Sequence, residues 1–336
     1  MQLPKFHYGT RHLIDSTAIR GILHNSKVFP RSHVLELYPG IGPFSNEIQK
    51  LYNPPHHLLL EPRKNFKATL SENFPNLNNC ELDPYDWSTY HILAKSQELN
   101  FHPLIQDWSK PNDDLVFVAN LTNPHNEGLL MQWLDCITRR NWLYKFGKVP
   151  MIIWINSHLA GKLLAPYGSS LRSKRSTFME TLTEISVLAH HKDETYPGVK
   201  NHIVETQDSN TKPQEIVEFD DSMIWPIKAT KSASSESIVC LKVVPNGKEI
   251  DFEPWEFITK HLYMSKITPF KDIADSLGHG GYEYFEPQFR DNQELWNKKP
   301  VNMTPKEFIE ISNVFMNWPF KPDYRSDFLN IFSEDM

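Results

Sequence analysis

The sequence predicts an α/β fold with a doubly wound parallel sheet, followed by a small helical C-terminal domain. Three observations lead to this prediction. Short apolar runs alternate with helix-like segments through the first two-thirds of the chain. A glycine-containing turn, Tyr38-Pro39-Gly40-Ile41-Gly42, follows the first of these runs. Beyond Pro254, helical periodicity broken by Pro, Gly and polar residues replaces the strand pattern.

The strand predictions rest on runs rich in Val, Ile and Leu that end at polar or turn residues. In chain order, the predicted strands are His33–Leu37, His57–Leu60, Asp114–Ala119, Met151–Ile155 and Ser237–Val244. Phe44–Leu51 is predicted to be the helix after the first strand, and His190-His191 to cap or end a helix. The polar segment Glu205–Ser235 is expected to be an irregular excursion.

Four short helices are predicted near the C-terminus from apolar residues at helical spacing. They are Trp255–Met264, Phe270–Leu277, Pro305–Trp318 and Asp323–Phe332. We therefore predict an α/β domain at 1–253 and a helical domain with a tail at 254–336.

Composition excludes several classes of protein. No apolar run approaches the roughly 20 residues that a membrane helix needs, so no membrane association is predicted. Cys80, Cys136 and Cys240 are widely separated, which indicates neither a disulfide framework nor a zinc site. The 15 His residues form no H-x-x-x-H pattern, and we predict no metal.

The charge is unevenly distributed along the chain. A net charge of −6 argues against an indiscriminate nucleic-acid binder, yet 139–175 contains no Asp or Glu. One positive face on a negative protein is therefore expected. Residues 1–32 carry several basic residues and one acid, which fits a mitochondrial targeting segment and an ordinary cytosolic start alike.

The turn at Tyr38–Gly42 carries the first chemical signal. A strand, a Gly-containing turn and a helix place a ligand at the carboxyl end of a doubly wound sheet. The next predicted strand ends in Glu61, about 20 residues on, where an acid can accept both ribose hydroxyls. A plain strand–helix connection is the alternative for the turn taken alone.

These residues and several others resemble the ribosomal RNA adenine-N6 dimethyltransferases, which are class I methyltransferases that use S-adenosylmethionine. Gly9–Asp15 is similar to the family's G-Q-[NH]-F-L-x-D, Asn120–Asn123 to its catalytic N-[LI]-P-[YF], and Trp225–Lys228 to its late F-x-P segment. The resemblance implies a class I methyltransferase-like doubly wound sheet. It also implies a cofactor pocket at Glu36, Tyr38, Gly40, Gly42, Glu61, Asp83 and Asn120.

Three departures from the family pattern fall in that one pocket. Tyr38 replaces a glycine of the turn, and its phenol is expected to fill cofactor space unless the backbone turns it outward. Thr10 and Arg11 replace an amide pair that contacts the cofactor. Thr122 and Asn123 replace the proline and the aromatic residue that hold and stack the flipped adenine. We therefore expect no catalytic residues, no bound cofactor and no enzymatic activity.

Longer runs resemble a subgroup of this family, the mitochondrial transcription factors; they include 83–88, 128–133 and 318–323. This resemblance implies a monomer in the mitochondrial matrix that partners the single-subunit mitochondrial RNA polymerase. It would help to recognise and melt promoters and would hold the unpaired non-template strand. An active rRNA dimethyltransferase and an assembly scaffold for mitochondrial ribosomes are the alternatives.

The candidate DNA-binding residues are aromatic and basic, because bases stack on rings and phosphates attract cations. They are Tyr85, Trp87, Lys148, Arg172, Lys174 and Arg175. For the two aromatic residues, packing of their loop onto the sheet is the alternative. For the basic cluster that starts at Arg172, a merely solvated loop is the alternative.

Overall fold

The computed structural model describes residues 7–99, 101–194, 215–226 and 237–324. Their strands are β1 His12–Leu13, β2 His33–Leu37, β3 His56–Leu60, β4 Asn78–Cys80, β5 Leu115–Leu121, β6 Met151–Asn156, β7 Thr183–His191, β8 Val217–Phe219, β9 Ile224–Trp225 and β10 Ile238–Pro245. Most of the predicted excursion at 205–235 and of the predicted helix at 323–332 lies outside the described residues, as do Ile227 and Lys228.

One large sheet has the strand order β4-β3-β2-β5-β6-β10-β7-β8. Strands β2 to β6 are parallel, whereas β10 runs antiparallel to both β6 and β7. The short strands β1 and β9 pair with each other separately. Because parallel strands end at the same edge, the segments that follow β2, β3, β4 and β5 meet there.

The parallel strands form where the sequence is continuously apolar, because helices cover both faces of such a sheet. Every residue of β5 and of β6 is buried. The predicted α/β class is confirmed, and each of the five predicted strands is present with ends within two residues of those predicted.

Strand β7 was not predicted, and the prediction that His190-His191 ends a helix is wrong. A helix at Lys174–Leu182 runs directly into β7 without an intervening Gly or Pro, and the two histidines end that strand. Turn residues are the main sequence signal of such a change, and here there are none.

The helices of the described residues lie between these strands and after β10. They are α1 Ser16–Ser26, α2 Pro43–Tyr52, α3 Lys64–Asn73, α4 Ser88–Lys95, α5 Glu127–Arg139, α6 Ser157–Leu163, α7 Lys174–Leu182, α8 Phe252–Met264, α9 Phe270–Ile273, α10 Gly281–Gln288, α11 Gln293–Trp296 and α12 Pro305–Met316. None of them is both long and apolar enough to cross a bilayer.

Packing divides the chain into two units. The sheet unit comprises Met1–Gly161 with Leu182–Gly247, and the helical unit comprises Lys162–Thr181 with Lys248–Met336. The assignment of Lys162–Thr181 to the helical unit was not anticipated. The division into domains at 1–253 and 254–336 stays a prediction.

The helical unit shows the local signals that define its elements. Thr304 and Glu307 form a capping box at the start of α12. Gly278 and Gly280 have φ angles of 150° and 80°, which fit glycine in the turn before α10.

Candidate functional site

The turn after β2 has the sharp backbone that its glycines predict. Tyr38, Gly40 and Gly42 have φ angles of 53°, 61° and 77°. A Cβ built on Gly40 would lie 2.2 Å from Cε1 of His12, so only glycine fits. The ring of His12 therefore occupies the space next to the turn in which a ligand would lie. Burial lowers the pKa of His12 to about 3, and the imidazole is neutral.

The Tyr38 side chain points inward despite its positive φ. Its hydroxyl donates a 2.8 Å hydrogen bond to Oδ1 of Asp83, which also accepts one from the backbone N–H of Tyr85. Burial and this bond raise the pKa of the phenol. Tyr38 thus joins the turn after β2 to the loop after β4, and it engages Asp83, one of the acids of the predicted cofactor pocket.

Glu61, at the end of β3, is completely buried and fully hydrogen-bonded. Its carboxylate accepts bonds from the N–H of Gly40 at 2.9 Å and from the N–H of Arg63 at 3.1 Å. Nε and Nη2 of Arg63 donate two more, at 2.6 and 2.7 Å. A carboxylate has about four acceptor positions. Ribose hydroxyls would have to displace Arg63 to reach Glu61.

Arg63 itself is held by aromatic rings. Its guanidinium carbon lies 5.1 Å from the ring centre of Tyr38, 4.6 Å from that of Phe66 and 6.0 Å from that of Tyr8. Rings stabilise a cation over their faces. Arg63 was not among the predicted site residues. The sequence signal that could have identified it is an arginine two positions after Glu61.

The segment Asn120–Asn123 is also occupied by the chain's own groups. Oδ1 of Asn120 accepts a 2.7 Å bond from the Thr122 hydroxyl, and Nδ2 of Asn120 donates to the backbone oxygen of Arg11. Asn123 donates to the backbone oxygen of Tyr8 and accepts from the N–H of His125. Asn120, at the position of the family's catalytic asparagine, and Asn123, at the position of its aromatic residue, are here both bonded to the N-terminal segment.

Little space remains between these groups. The cavity lined by His12, Glu36 and Asn120 has a volume of about 20 Å³. Such a cavity holds about one water molecule. Glu36 bonds to His57 at 3.0 Å, whereas Nε2 of His12 has no hydrogen-bond partner among the described atoms. The residues present do not fit a molecule of the size of S-adenosylmethionine.

Two aromatic side chains remain exposed beside this filled pocket. Tyr85 is 56% and Trp87 is 41% exposed, two and four residues after Asp83. Nε1 of Trp87 donates to Gln132 at 3.3 Å, and its ring is tilted against that of Tyr90 and edge-to-face with that of Trp142. Tyr85 therefore presents most of its ring to solvent, while Trp87 is partly packed.

The predicted basic contacts need two corrections. Arg172 is fully buried, where its guanidinium binds both carboxylate oxygens of Glu180 at 2.9 and 2.7 Å. Lys148 is 8% exposed and precedes β6, at the sheet edge opposite to Tyr85. Neither side chain is placed to contact DNA. Lys174 pairs with Glu256, and Arg175 is partly exposed.

The acid-free stretch 139–175 is divided between the two units, so it does not act as one element of the fold.

Within the described ranges, no three His, Cys, Asp or Glu side chains are grouped to hold a metal ion. The absence of a metal stays a prediction.

Comparison with known proteins identifies relatives over nearly the whole chain. The family model "Ribosomal RNA adenine dimethylase" matches residues 1–313. Proteins named Mitochondrial transcription factor 1 from Saccharomyces paradoxus and Saccharomyces cerevisiae are each 36% identical, over 98% of this chain and 95% of theirs. The protein of the same name from Lachancea kluyveri is 34% identical, over 98% of this chain and 96% of its own.

Solved structures confirm the class I methyltransferase-like fold. A dimethyladenosine transferase from Plasmodium falciparum aligns with a TM-score of 0.56 at 12% identity, covering 89% of this chain and 95% of that one. The 23S rRNA methyltransferase ErmE aligns with a TM-score of 0.54 at 13% identity, covering 90% and 98%. At these identities the likeness concerns the fold alone.

The Glu61–Arg63 pair leads to a stability prediction. Arg63→Ala leaves a buried carboxylate with two backbone donors, and we expect the free energy of unfolding to fall by about 2–5 kcal/mol. Urea-induced unfolding followed by tryptophan fluorescence measures it. The neighbouring exposed Lys64→Ala is the control, with an expected change within about 0.5 kcal/mol. Equal values for the two variants would contradict the role given to Arg63.

The Arg172–Glu180 pair leads to a second prediction. Arg172→Ala should destabilise the protein by about 3–5 kcal/mol, because Glu180 loses its buried partner. Arg290, whose exposed side chain lies 3.7 Å from Glu286, is the matched control, and its replacement by Ala should cost about 0–1 kcal/mol. A normal unfolding midpoint for Arg172→Ala would restore Arg172 as a candidate for DNA contact.

Proposed function

The chain belongs to the ribosomal RNA adenine dimethylase family, and we propose that it is a mitochondrial transcription initiation factor without methyltransferase activity. It partners the single-subunit mitochondrial RNA polymerase in the matrix and helps to recognise and melt promoters. The observation that carries the proposal is a pair of exposed aromatic residues, Tyr85 and Trp87, beside a pocket filled by its own side chains. The names of the relatives supply the compartment and the process.

The loss of methyl transfer is supported by the way the pocket's polar groups are used. Glu61 is saturated by Arg63 and Gly40, the amide of Asn120 is bonded by its neighbours, and Oδ1 of Asp83 accepts bonds from Tyr38 and Tyr85. Cofactor binding would require breaking several buried bonds at once, and each buried polar group left unpaired costs about 1–3 kcal/mol. Asn123 also offers no ring on which a flipped adenine could stack.

Strand stabilisation is supported by the exposure of the two rings. Opening a base-pair step costs about 1.4 kcal/mol on average. Stacking of one unpaired base on an aromatic side chain contributes about 1–3 kcal/mol. Two rings can therefore offset the opening of one to a few steps, and the polymerase supplies further contacts. We assign both rings to the non-template strand.

An active rRNA dimethyltransferase is the second candidate function, because Gly40, Gly42 and Asn120 are retained from the family's motif. The two functions differ in their requirement for S-adenosylmethionine, which makes a binding experiment decisive between them.

We predict that S-adenosylmethionine does not bind the full chain with micromolar affinity, because Arg63 and Tyr38 occupy its anchoring acids. Isothermal titration calorimetry measures this directly, with an active dimethyladenosine transferase as the positive control. A micromolar dissociation constant would favour the alternative, an active rRNA dimethyltransferase.

The transcription role has its own test, run-off transcription with the cognate polymerase on linear promoter DNA. A transcript yield that does not depend on this protein would reject that role.

We also predict that Tyr85→Ala and Trp87→Ala each lower the yield of open promoter complex. Losing about 1–3 kcal/mol of stacking per base corresponds to about 5- to 150-fold in the opening equilibrium. Fluorescence of 2-aminopurine at melted non-template positions reports the yield. Tyr85→Phe keeps the ring and should retain melting, and Tyr282→Ala, an exposed ring of the helical unit, is the matched control. Unchanged fluorescence would assign the two rings to packing of their loop.

A further inference from the structure

The loop between β4 and α4 carries the exposed ring of Tyr85, and Asp83 organises the backbone of this loop. Oδ1 of Asp83 accepts the N–H of Tyr85 at 2.9 Å. The backbone oxygen of Asp83 accepts the N–H of Asp86 at 3.0 Å and the hydroxyl of Thr89 at 2.7 Å. An aspartate oxygen bonded to the N–H two residues further on forms an Asx turn, which sets the direction of the chain. The position of the Tyr85 ring therefore depends on where the Asp83 carboxylate points.

The Asp83 carboxylate lies at the surface, where a side chain without a fixed partner can adopt several rotamers. The hydroxyl of Tyr38 is such a partner. It donates a 2.8 Å hydrogen bond to the same Oδ1 that accepts the N–H of Tyr85. Two donors that converge on one oxygen from different parts of the fold fix the orientation of the carboxylate.

Tyr38 is itself firmly held by the sheet. Its backbone N–H donates to the oxygen of Leu60 at 2.9 Å, its side chain is buried, and the Arg63 guanidinium lies beside its ring. Arg63 is bound in turn to the buried carboxylate of Glu61. Buried side chains in a close-packed interior have little freedom to move. A continuous series of contacts thus runs from Glu61 through Arg63, Tyr38 and Asp83 to the backbone of Tyr85.

The backbone of Tyr38 gives a second indication that this side chain has a role. Its φ angle of 53° lies in the left-handed region, which glycine adopts easily and tyrosine does not. Non-glycine residues persist in such conformations where the surrounding contacts hold them, and they cluster at functional sites. A phenyl ring alone would fill the pocket beside Arg63, whereas the bond to Asp83 requires the hydroxyl.

A fixed loop favours the stacking of an unpaired base. Tyr85 presents most of its ring to solvent, and a base that binds a mobile ring must also immobilise it. Holding a binding group in its bound position beforehand removes part of that entropic cost. Trp87 is supported by other contacts, with Gln132 and with the rings of Tyr90 and Trp142. The support of Tyr85 passes through Tyr38.

We propose that Tyr38 is a positioning residue for promoter melting. Its hydroxyl, acting through Asp83, holds the loop so that the ring of Tyr85 is placed to stack on an unpaired non-template base. The inference rests on the proposed function, since it presumes that Tyr85 contacts the melted strand. In this assignment Tyr38 itself does not touch DNA. The side chain that closes the cofactor pocket thereby also serves the strand-binding loop.

Hydrogen–deuterium exchange of the full chain tests the link without polymerase or DNA. Tyr38→Phe keeps the ring beside Arg63 and removes the hydroxyl, so backbone amides in 83–88 should exchange at least about 3-fold faster. Tyr284→Phe is the matched control, because it removes a hydroxyl that donates to the backbone oxygen of Val314 at 2.9 Å in the helical unit. The control should leave exchange in 83–88 unchanged. Unchanged exchange there in Tyr38→Phe would overturn the proposal.

Promoter melting with the cognate polymerase tests the consequence. Tyr38→Phe should lower the opening equilibrium, reported by 2-aminopurine fluorescence, by about 3- to 10-fold. In a Tyr85→Ala background the same change should have less than about a 2-fold effect, because it acts through a ring that is already absent. A general loss of stability would act equally in both backgrounds. An equal reduction in both would therefore overturn the positioning role.

Asp83 provides a second pair of variants, which keeps the test open if Tyr38→Phe folds poorly. Asp83→Ala removes the acceptor and should reproduce the faster exchange and the weaker melting. Asp83→Asn keeps an oxygen that can accept from the same two donors, and it should retain melting within about 2-fold of the wild type. Thermal unfolding verifies the fold of each variant. Normal melting by a folded Asp83→Ala would contradict the proposal.

The outcomes separate this inference from the proposed function. If Tyr85→Ala lowers melting and Tyr38→Phe does not, the positioning role is wrong and the proposed function stands. If Tyr85→Ala has no effect, the ring does not bind the melted strand, and this inference fails with that assignment. If run-off transcription does not depend on the protein, the proposed function and this inference both fail.

Discussion

The carboxylate of Glu61 lies where no water reaches it, so the chain itself must supply the donors that balance its charge. In an enzyme of this family the ribose of the cofactor meets part of that demand. Here Arg63, two residues further along the chain, supplies donors to the Glu61 carboxylate. The positions of the other site residues depend on this ion pair. Aromatic faces stabilise the guanidinium, and Tyr38 supplies one while its hydroxyl engages Asp83. The N-terminal segment lies near Arg63 through the ring of Tyr8, whose backbone oxygen accepts a hydrogen bond from Asn123.

Much of the fold could be predicted from the sequence, because buried parallel strands leave unbroken apolar runs. The turn at Gly40 and Gly42 and the acid Glu61 were also found by spacing alone. Strand β7 was missed because α7 passes into it without a turn residue. Tyr38 could be identified as a departure, but the sequence does not say which side a residue with positive φ faces, and only the structure pairs it with Asp83.

Charge was the least reliable guide to the surface. A run of basic residues without acids at 139–175 predicts a positive face, yet composition does not reveal pairing across the fold. Arg172 meets Glu180, Lys174 meets Glu256, and Lys148 is buried at the far edge of the sheet. What the sequence presents as one stretch contributes to two separate units. The pairing of Arg172 instead fixes the loop that carries Tyr167 and Leu171.

The filled pocket bears on the direction in which such a protein can evolve. Restoring glycine at position 38 alone would remove one hydrogen bond from Asp83 and would leave Arg63 bound to Glu61, so it would not free the acid that a ligand needs. Removing Arg63 alone would strand Glu61. Neither change alone frees the pocket, and the bond between Thr122 and Asn120 is a third contact that would have to change. Interlocked contacts of this kind act as a ratchet: if the cofactor has been exchanged for internal contacts, as we propose, several of them must be undone together before a cofactor can bind again.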